Sequence, residues 1–391
     1  MSPAPAPAYS IIDADTHVTE PADLWTSRVP RALRARVPRV EWDPERREEA
    51  WFLGDERINS VGVTAIAGWK EPYPSHPPRY EDAHPGAYDA QARLRYMDEL
   101  GIWAMVLYPN VGGFGNQVFG RLDDAEAKLA CVHAYNDFLV EWAAADRRRL
   151  VPVMTLPFWD VPAAVREIER GAALGHRGVL FTGEPQSFGM PLLASRHWDP
   201  IWAAAQACGL PISFHIGSGD FGDEFSPDRV ECEGYAATSA RAGAKLFMAN
   251  GAHVLDLLFS GILERFPELR FVSVESGVGW LPFLLESADY QFCAMAVRRE
   301  RRDFRLLPSE YFRRQVYACC WFETLAPAEL ERVGAENVLF ETDFPHPTSI
   351  YGEEVHQTIA ARLGALSDAA RRRVLWENAA RLYAIEAPEP H

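Results

Sequence analysis

Long apolar runs are missing from this chain: nowhere do about eighteen consecutive apolar residues occur, the length a helix needs to cross a bilayer. The first ten residues, MSPAPAPAYS, have neither the cationic start nor the apolar stretch of a secretory leader. A cytoplasmic protein with no membrane partner is therefore expected. Basic runs are scarce too. With 39 Lys and Arg against 55 Asp and Glu, the formal charge of −16 repels phosphate backbones and anionic lipid, which argues against nucleic acid as a partner. Cysteine is thin and scattered: Cys131, Cys208, Cys232, Cys293, Cys319 and Cys320 show no Cys-x-x-Cys spacing. They read as small buried hydrophobes, not as a disulfide frame or a thiolate zinc site. Two motifs are absent as well. Gly217-Ser218-Gly219 does not continue into Gly-x-Gly-x-x-Gly or a Lys-Ser/Thr ending, and no Gly-x-Ser-x-Gly elbow occurs. Phosphate cradling and serine hydrolysis are thus unsupported.

What is present is an ordinary globular composition, 48% hydrophobic and 24% charged over 391 residues. Short β-branched or apolar runs alternate with longer amphipathic or alanine-rich segments, the pattern of parallel βαβ units. The runs read as strands are 11–17, 102–109, 150–157, 178–182, 211–216, 270–275, 315–319 and 337–343. Helices are expected between them at 125–145, 161–174, 200–208, 253–266, 280–296, 327–333 and 368–383. Eight strands predict an α/β fold, a (β/α)8 TIM barrel with an insertion after the first strand, formed by residues 1–391 as a single domain. The insertion is 20–90, rich in Pro, Trp and Arg, with a hairpin around Trp51–Asn59 turning at Gly54-Asp55. A second irregular stretch, 217–243, is rich in Gly, Asp and Ser and follows the fifth strand. Loops after barrel strands form the catalytic face, so the insertion is expected to wall a pocket and 217–243 to act as a lid.

The first strand ends Asp13-Ala14-Asp15-Thr16-His17. Residues two apart on a strand share a face, so Asp13, Asp15 and His17 are expected to point inward together. A buried carboxylate is costly unless a cation or hydrogen bonds compensate it. His215 closes a second strand and Asp343 a third, so all three sites fall at strand ends that converge on one rim. Two imidazoles with two carboxylates make a mixed N/O shell suited to Zn²⁺ or Mn²⁺, with Fe²⁺ as an alternative, and leave positions open for water or substrate.

The segments Asp13–Pro21 (DADTHVTEP), Arg93–Pro109, Phe259–Pro282, Asn337–His346 (NVLFETDFPH) and Glu377–Tyr383, with the strand ending at His215, resemble the amidohydrolase superfamily. The similarity is to its amidohydrolase-2 branch, which includes aminocarboxymuconate-semialdehyde and γ-resorcylate decarboxylases. The resemblance implies that Asp15, His17, His215 and Asp343 hold one divalent metal ion, with Asp15 standing where many relatives have His or Glu. It also implies a homodimer. One departure bears on mechanism: many members end the sixth strand in a His that acts on substrate, and this chain has Glu275 there.

The leading expectation is a metal-dependent hydrolase in which activated water attacks an amide, lactone or activated C–C bond of a small-molecule substrate, with Asp343 moving the proton. The alternative is non-oxidative decarboxylation of a small aromatic or unsaturated acid, with Glu275 as proton donor. Hydration or isomerisation, and a binding protein without activity, complete the set. His346, three residues past Asp343, is a further catalytic candidate. His253, Arg79 and Arg93 are candidates for substrate binding, the arginines through bidentate bonds to a carboxylate. Trp25, Trp51, Trp69, Phe114, Phe158, Trp159 and Phe221 are candidate walls of an aromatic pocket.

Overall fold

A computed structural model describes residues 10–219 and 224–388. Eight parallel strands form one sheet: β1 (Ile11–His17), β5 (Ile102–Tyr108), β6 (Leu150–Thr155), β7 (Gly178–Leu180), β8 (Ile212–His215), β9 (Phe271–Val274), β10 (Val316–Cys320) and β11 (Val338–Phe340). The intervening numbers belong to a separate antiparallel sheet of β2 (Arg39–Asp43), β3 (Glu48–Leu53) and β4 (Glu56–Ser60). The large sheet closes between its first and last strands. Asp343 N–H donates to the Asp15 carbonyl at 3.0 Å and His17 N–H to that of Phe344 at 2.8 Å. The expected (β/α)8 barrel is the fold. Among the described residues no helix is long and apolar enough to cross a membrane.

Strict alternation along the strands divides the core. Ala104, Val106 and Tyr108 of β5 pack inside the barrel with Val151, Val153, Val272, Val274 and Leu339. Met105 and Leu107 face the surrounding helices with Met154, Phe214, Phe271 and Phe340. Such two-sided burial is why these strands read as nearly continuous apolar runs.

Each of the eight expected strands is found, but most end earlier than the sequence suggested. The clearest cases are β9, which stops before Glu275, and β11, which stops before Asp343. Both residues adopt left-handed backbone, with φ of 56° and 58°. This conformation is uncommon for residues other than glycine, and it turns each carboxylate out of the strand direction.

The hairpin at Gly54-Asp55 is present as β3–β4, with Gly54 at φ 58° supplying the turn. Its third partner β2 was not foreseen. Arg57 holds the little sheet together through Asp43 at 3.0 Å and a closer contact with Glu48. The second irregular stretch differs more. Pro227–Glu233 is helical, and a 26-residue helix, Tyr235–Ser260, begins 18 residues before the helix expected at 253. Alanine-rich sequence with strong helix propensity outweighs its internal glycines. One of these, Gly251, lets the ring of Trp280 approach to 3.4 Å from where a Cβ would sit.

Candidate metal centre

Strand ends bring six ionisable side chains to the barrel mouth. Atoms of Asp15, His17, His215 and Glu275 lie within 4.8 Å of one another, as do atoms of His17, Glu275, Asp343 and His346. All six are buried, Asp15, His17 and His215 completely. His17 Nε2 is 3.3 Å from Asp343 Oδ1 and 3.5 Å from Asp15 Oδ1. His215 Nε2 is 3.6 Å from Asp15 Oδ2 and 3.4 Å from Glu275 Oε2.

The tautomers follow from the partners. His17 Nδ1 faces the Pro109 carbonyl at 2.9 Å and His215 Nδ1 faces that of Ile216 at 2.8 Å. A carbonyl only accepts, so both Nδ1 atoms carry the proton and both Nε2 lone pairs point at the centre. Those two Nε2 atoms are 3.3 Å apart. Neither oxygen of Asp15 nor of Asp343 receives a hydrogen bond of acceptable geometry among the described residues. Converging lone pairs and undonated buried carboxylates repel one another, and a cation is the partner that turns them to advantage. The cluster therefore fits a divalent ion of the Mn²⁺ or Zn²⁺ kind, with Asp15, His17 and His215 in one group of converging atoms and Asp343 in the overlapping one.

The charge environment is consistent with that fit. Burial, then the neighbouring carboxylates of Asp343 and Asp15, push the Glu275 carboxyl well above its usual range. Burial followed by Asp15 and Asp13 does the same to Asp343. Burial, then His346 and His215, hold His17 well below the ordinary imidazole value, and burial lowers His346 to about 4.

Asp13 leaves the expected group. The pairing of β1 with β5 slips between Asp13 and Thr16, so a bulge separates Asp13 from Asp15 and reverses its facing. Asp13 accepts instead from Thr342 N–H at 2.9 Å and Thr342 Oγ1 at 2.5 Å, tying β1 to the end of β11.

Other candidates fare differently. His346 joins the centre, its Nδ1 2.9 Å from Asp343 Oδ1 and its Nε2 2.6 Å from Asn110 Oδ1. Arg93 does not. It is fully buried, donating to the carbonyls of Gly86 and His17 at 2.6 Å each and to Thr16 Oγ1 at 3.3 Å. Its guanidinium braces β1 from outside the barrel and has no free face for a substrate. Arg79 is exposed and stacks on Trp42, 4.6 Å from the ring centroid. His253 lines a smaller cavity that shares Ile216, Gly217 and Gly219 with the one above the centre, and it is held by Asn250 Oδ1 at 3.0 Å and Glu184 Oε1 at 3.2 Å.

Of the aromatic residues, Phe114 reaches the site. Its ring stacks on His215 at 3.8 Å between centroids, and it lines the cavity above the centre. Trp25 and Trp51 pack on each other at 5.4 Å, and Phe158 is buried against Phe181 and Phe188. Trp69 donates to Ser75 Oγ, and Trp159 packs on the core from outside. Phe221 lies outside the described residues.

Two site residues escaped the sequence reading. Asn110 donates from Nδ2 to the Val18 carbonyl, which aims its Oδ1 at His346. Glu20 is fully buried, accepts from the N–H groups of Asn110 and Val111 at 2.8 and 3.0 Å, and is raised to about 7 by burial. The only signal for them was position, just beyond the ends of β5 and β1.

A model of the family described as amidohydrolase matches residues 12–385. The γ-resorcylate decarboxylase of Polaromonas sp. strain JS666 is 28% identical over 302 residues, 75% of this chain and 86% of that protein. A solved amidohydrolase from Mycobacterium avium subsp. paratuberculosis K-10 superposes with a TM-score of 0.75 at 23% identity, covering 96% of this chain and 99% of that one. The dihydroxybenzoic acid decarboxylase of Polaromonas sp. JS666, solved with manganese and 2-nitroresorcinol, gives 0.62 at 21% identity, covering 97% and 98%.

Proposed function

The chain belongs to the amidohydrolase family, and on that premise we propose that it is a divalent-metal-dependent carboxy-lyase, removing CO2 from an aromatic acid. Membership makes it a metal-dependent hydrolase or carboxy-lyase. Within that pair the hydrolytic reading led from the residues alone, and it gives way because the γ-resorcylate decarboxylase relative aligns along most of its length. That relative is the observation that carries the choice, and Glu275, a buried carboxyl lining the cavity 3.4 Å from His215, is the acid available for it.

A bound divalent ion would supply an anchor for the substrate carboxylate and an adjacent ring oxygen. The chain's own groups do the rest. Phe114 lies flat on His215 and offers its ring to an aromatic substrate. Glu275, buried and lining the cavity, is placed to deliver a proton to the ring carbon that bears the carboxylate. The bond from that carbon to the carboxyl carbon then breaks, CO2 leaves, and the electron pair of the broken bond restores the aromatic ring. Glu275 regains its proton from water entering the cavity. Asn110 fixes the His346 ring by accepting from its Nε2, so that Nδ1 faces Asp343.

The test is product chemistry. With Mn²⁺ and a panel of hydroxybenzoates, CO2 release and deuterium incorporation at the vacated ring carbon in D2O are expected. Glu275→Gln should lower both by roughly 10²-fold or more, the range typical of a positioned acid. Turnover of a lactone or amide panel, with no CO2 from any acid, would overturn the carboxy-lyase reading in favour of hydrolysis.

A further inference from the structure

The cavity above the centre is far larger than a single-ring acid requires. Its volume is about 810 Å³, room for roughly two dozen waters at their liquid volume. Clefts of about 300–1,000 Å³ ordinarily enclose drug-sized ligands, whereas a dihydroxybenzoate has only about eleven non-hydrogen atoms. Glu275 and His346 form the floor, so a substrate head seated at the centre fills only the deep end.

The remaining wall comes from several separate elements. Ile58 belongs to β4, Val63 to the turn after it, Val118 to the helix Gln117–Gly120, Phe188 to the loop after β7 and Leu246 to the helix Tyr235–Ser260. These five are apolar, and the neutral side chains of Asn59, Thr64, Gln117 and Ser187 line the wall between them. The one cationic side chain on this wall among the described residues, Arg121, is about half exposed and paired with Glu56 at 2.7 Å. Among the described residues, no buried cation in the wall would neutralise a second carboxylate. A charged tail would lose its hydration there, while an apolar tail would gain by leaving water.

Resting on the carboxy-lyase reading for its head group, we infer that the substrate is an aromatic acid bearing an uncharged apolar extension. That extension is at least the size of a second ring or a six-carbon chain and lies between the β2–β4 sheet and the helix Tyr235–Ser260. The inserted sheet is thus a specificity element.

The experiment titrates the Mn²⁺-loaded protein by calorimetry with 2,6-dihydroxybenzoate and its 4-propyl, 4-hexyl and 4-phenyl derivatives, following CO2 in parallel. The dissociation constant is expected to fall roughly tenfold or more from the bare ring to the hexyl or phenyl member. A constant that stays within about twofold along the series, or rises, overturns the inference. Val63→Trp and Leu246→Trp each fill the wall and should cut that ratio to below about threefold. A ratio unchanged in both folded variants also overturns it, and if neither folds the wild-type series decides alone. Tail-dependent binding without CO2 from any member leaves the extended pocket standing and removes the carboxy-lyase reading. CO2 from every member with equal affinity does the reverse, and no binding by any member overturns both.

Discussion

At the scale of single residues, Asp343 has two undonated buried oxygens in a cluster of imidazoles. Asp343→Asn is expected to abolish turnover and to lower the metal retained per chain, measured by elemental analysis after gel filtration. Retention of a full equivalent together with normal kcat would remove Asp343 from the ligand shell. Glu20 makes a prediction about pH. Its carboxyl is raised from 4.5 to about 7 in the fold, so the folded state binds the proton more tightly than the unfolded state. Its stabilisation is complete below about 4.5 and is lost as pH rises towards 7. Glu20→Gln mimics the neutral acid, keeping one acceptor for the N–H groups of Asn110 and Val111. The variant should match the wild type near pH 5 and exceed it near pH 8 by on the order of 1–3 kcal/mol. Thermal melts at the two pH values check this, and a constant difference would refute it. Arg93 separates bracing from binding. Arg93→Met leaves three acceptors without their donor in the interior and should cost on the order of 3 kcal/mol in denaturant unfolding. A substrate-binding role would instead raise KM and leave the unfolding midpoint in place.

Among elements, the inserted β2–β4 sheet and the loop behind it are locked by a close approach. A Cβ on Gly62 would sit 1.9 Å from the Pro77 carbonyl oxygen, so Gly62→Ala must push the wall apart. It should destabilise by about 1–3 kcal/mol and raise KM, while leaving the bound metal at the wild-type level in the same elemental assay. Strand positions were legible because residues buried on both faces make apolar runs that nothing else in the chain imitates. Strand ends were less so, since the left-handed turns at Glu275 and Asp343 depend on neighbours that hold an unfavoured φ. The helix Tyr235–Ser260 was partly hidden by its glycines, of which Gly251 packs closely against Trp280. The bulge in β1 left no local sign, and it alone separates Asp13 from Asp15.

For the whole molecule, the proposed metal site would join the first barrel strand to the fifth and the last. An ion bound there stabilises only the closed barrel, by about 2.7 kcal/mol at a free concentration one hundred times its Kd. Chelation is therefore expected to lower Tm as well as activity, and both should return on adding Mn²⁺. A Tm indifferent to chelator and metal would contradict a site that spans the closure. The sequence by itself determined the alternation that builds a barrel, and it marked His17, His215 and Asp343, with Asp13 or Asp15, as candidate chemistry at or just beyond strand ends. Those features are local: periodicity and terminal position are written in neighbouring residues. Tertiary structure alone decided that Asp13 faces Thr342, that Arg93 is a brace, that Asn110 orients His346, and that the cavity outgrows a single ring. Each depends on segments remote in sequence meeting at fixed distances, and only closure of the barrel sets those distances.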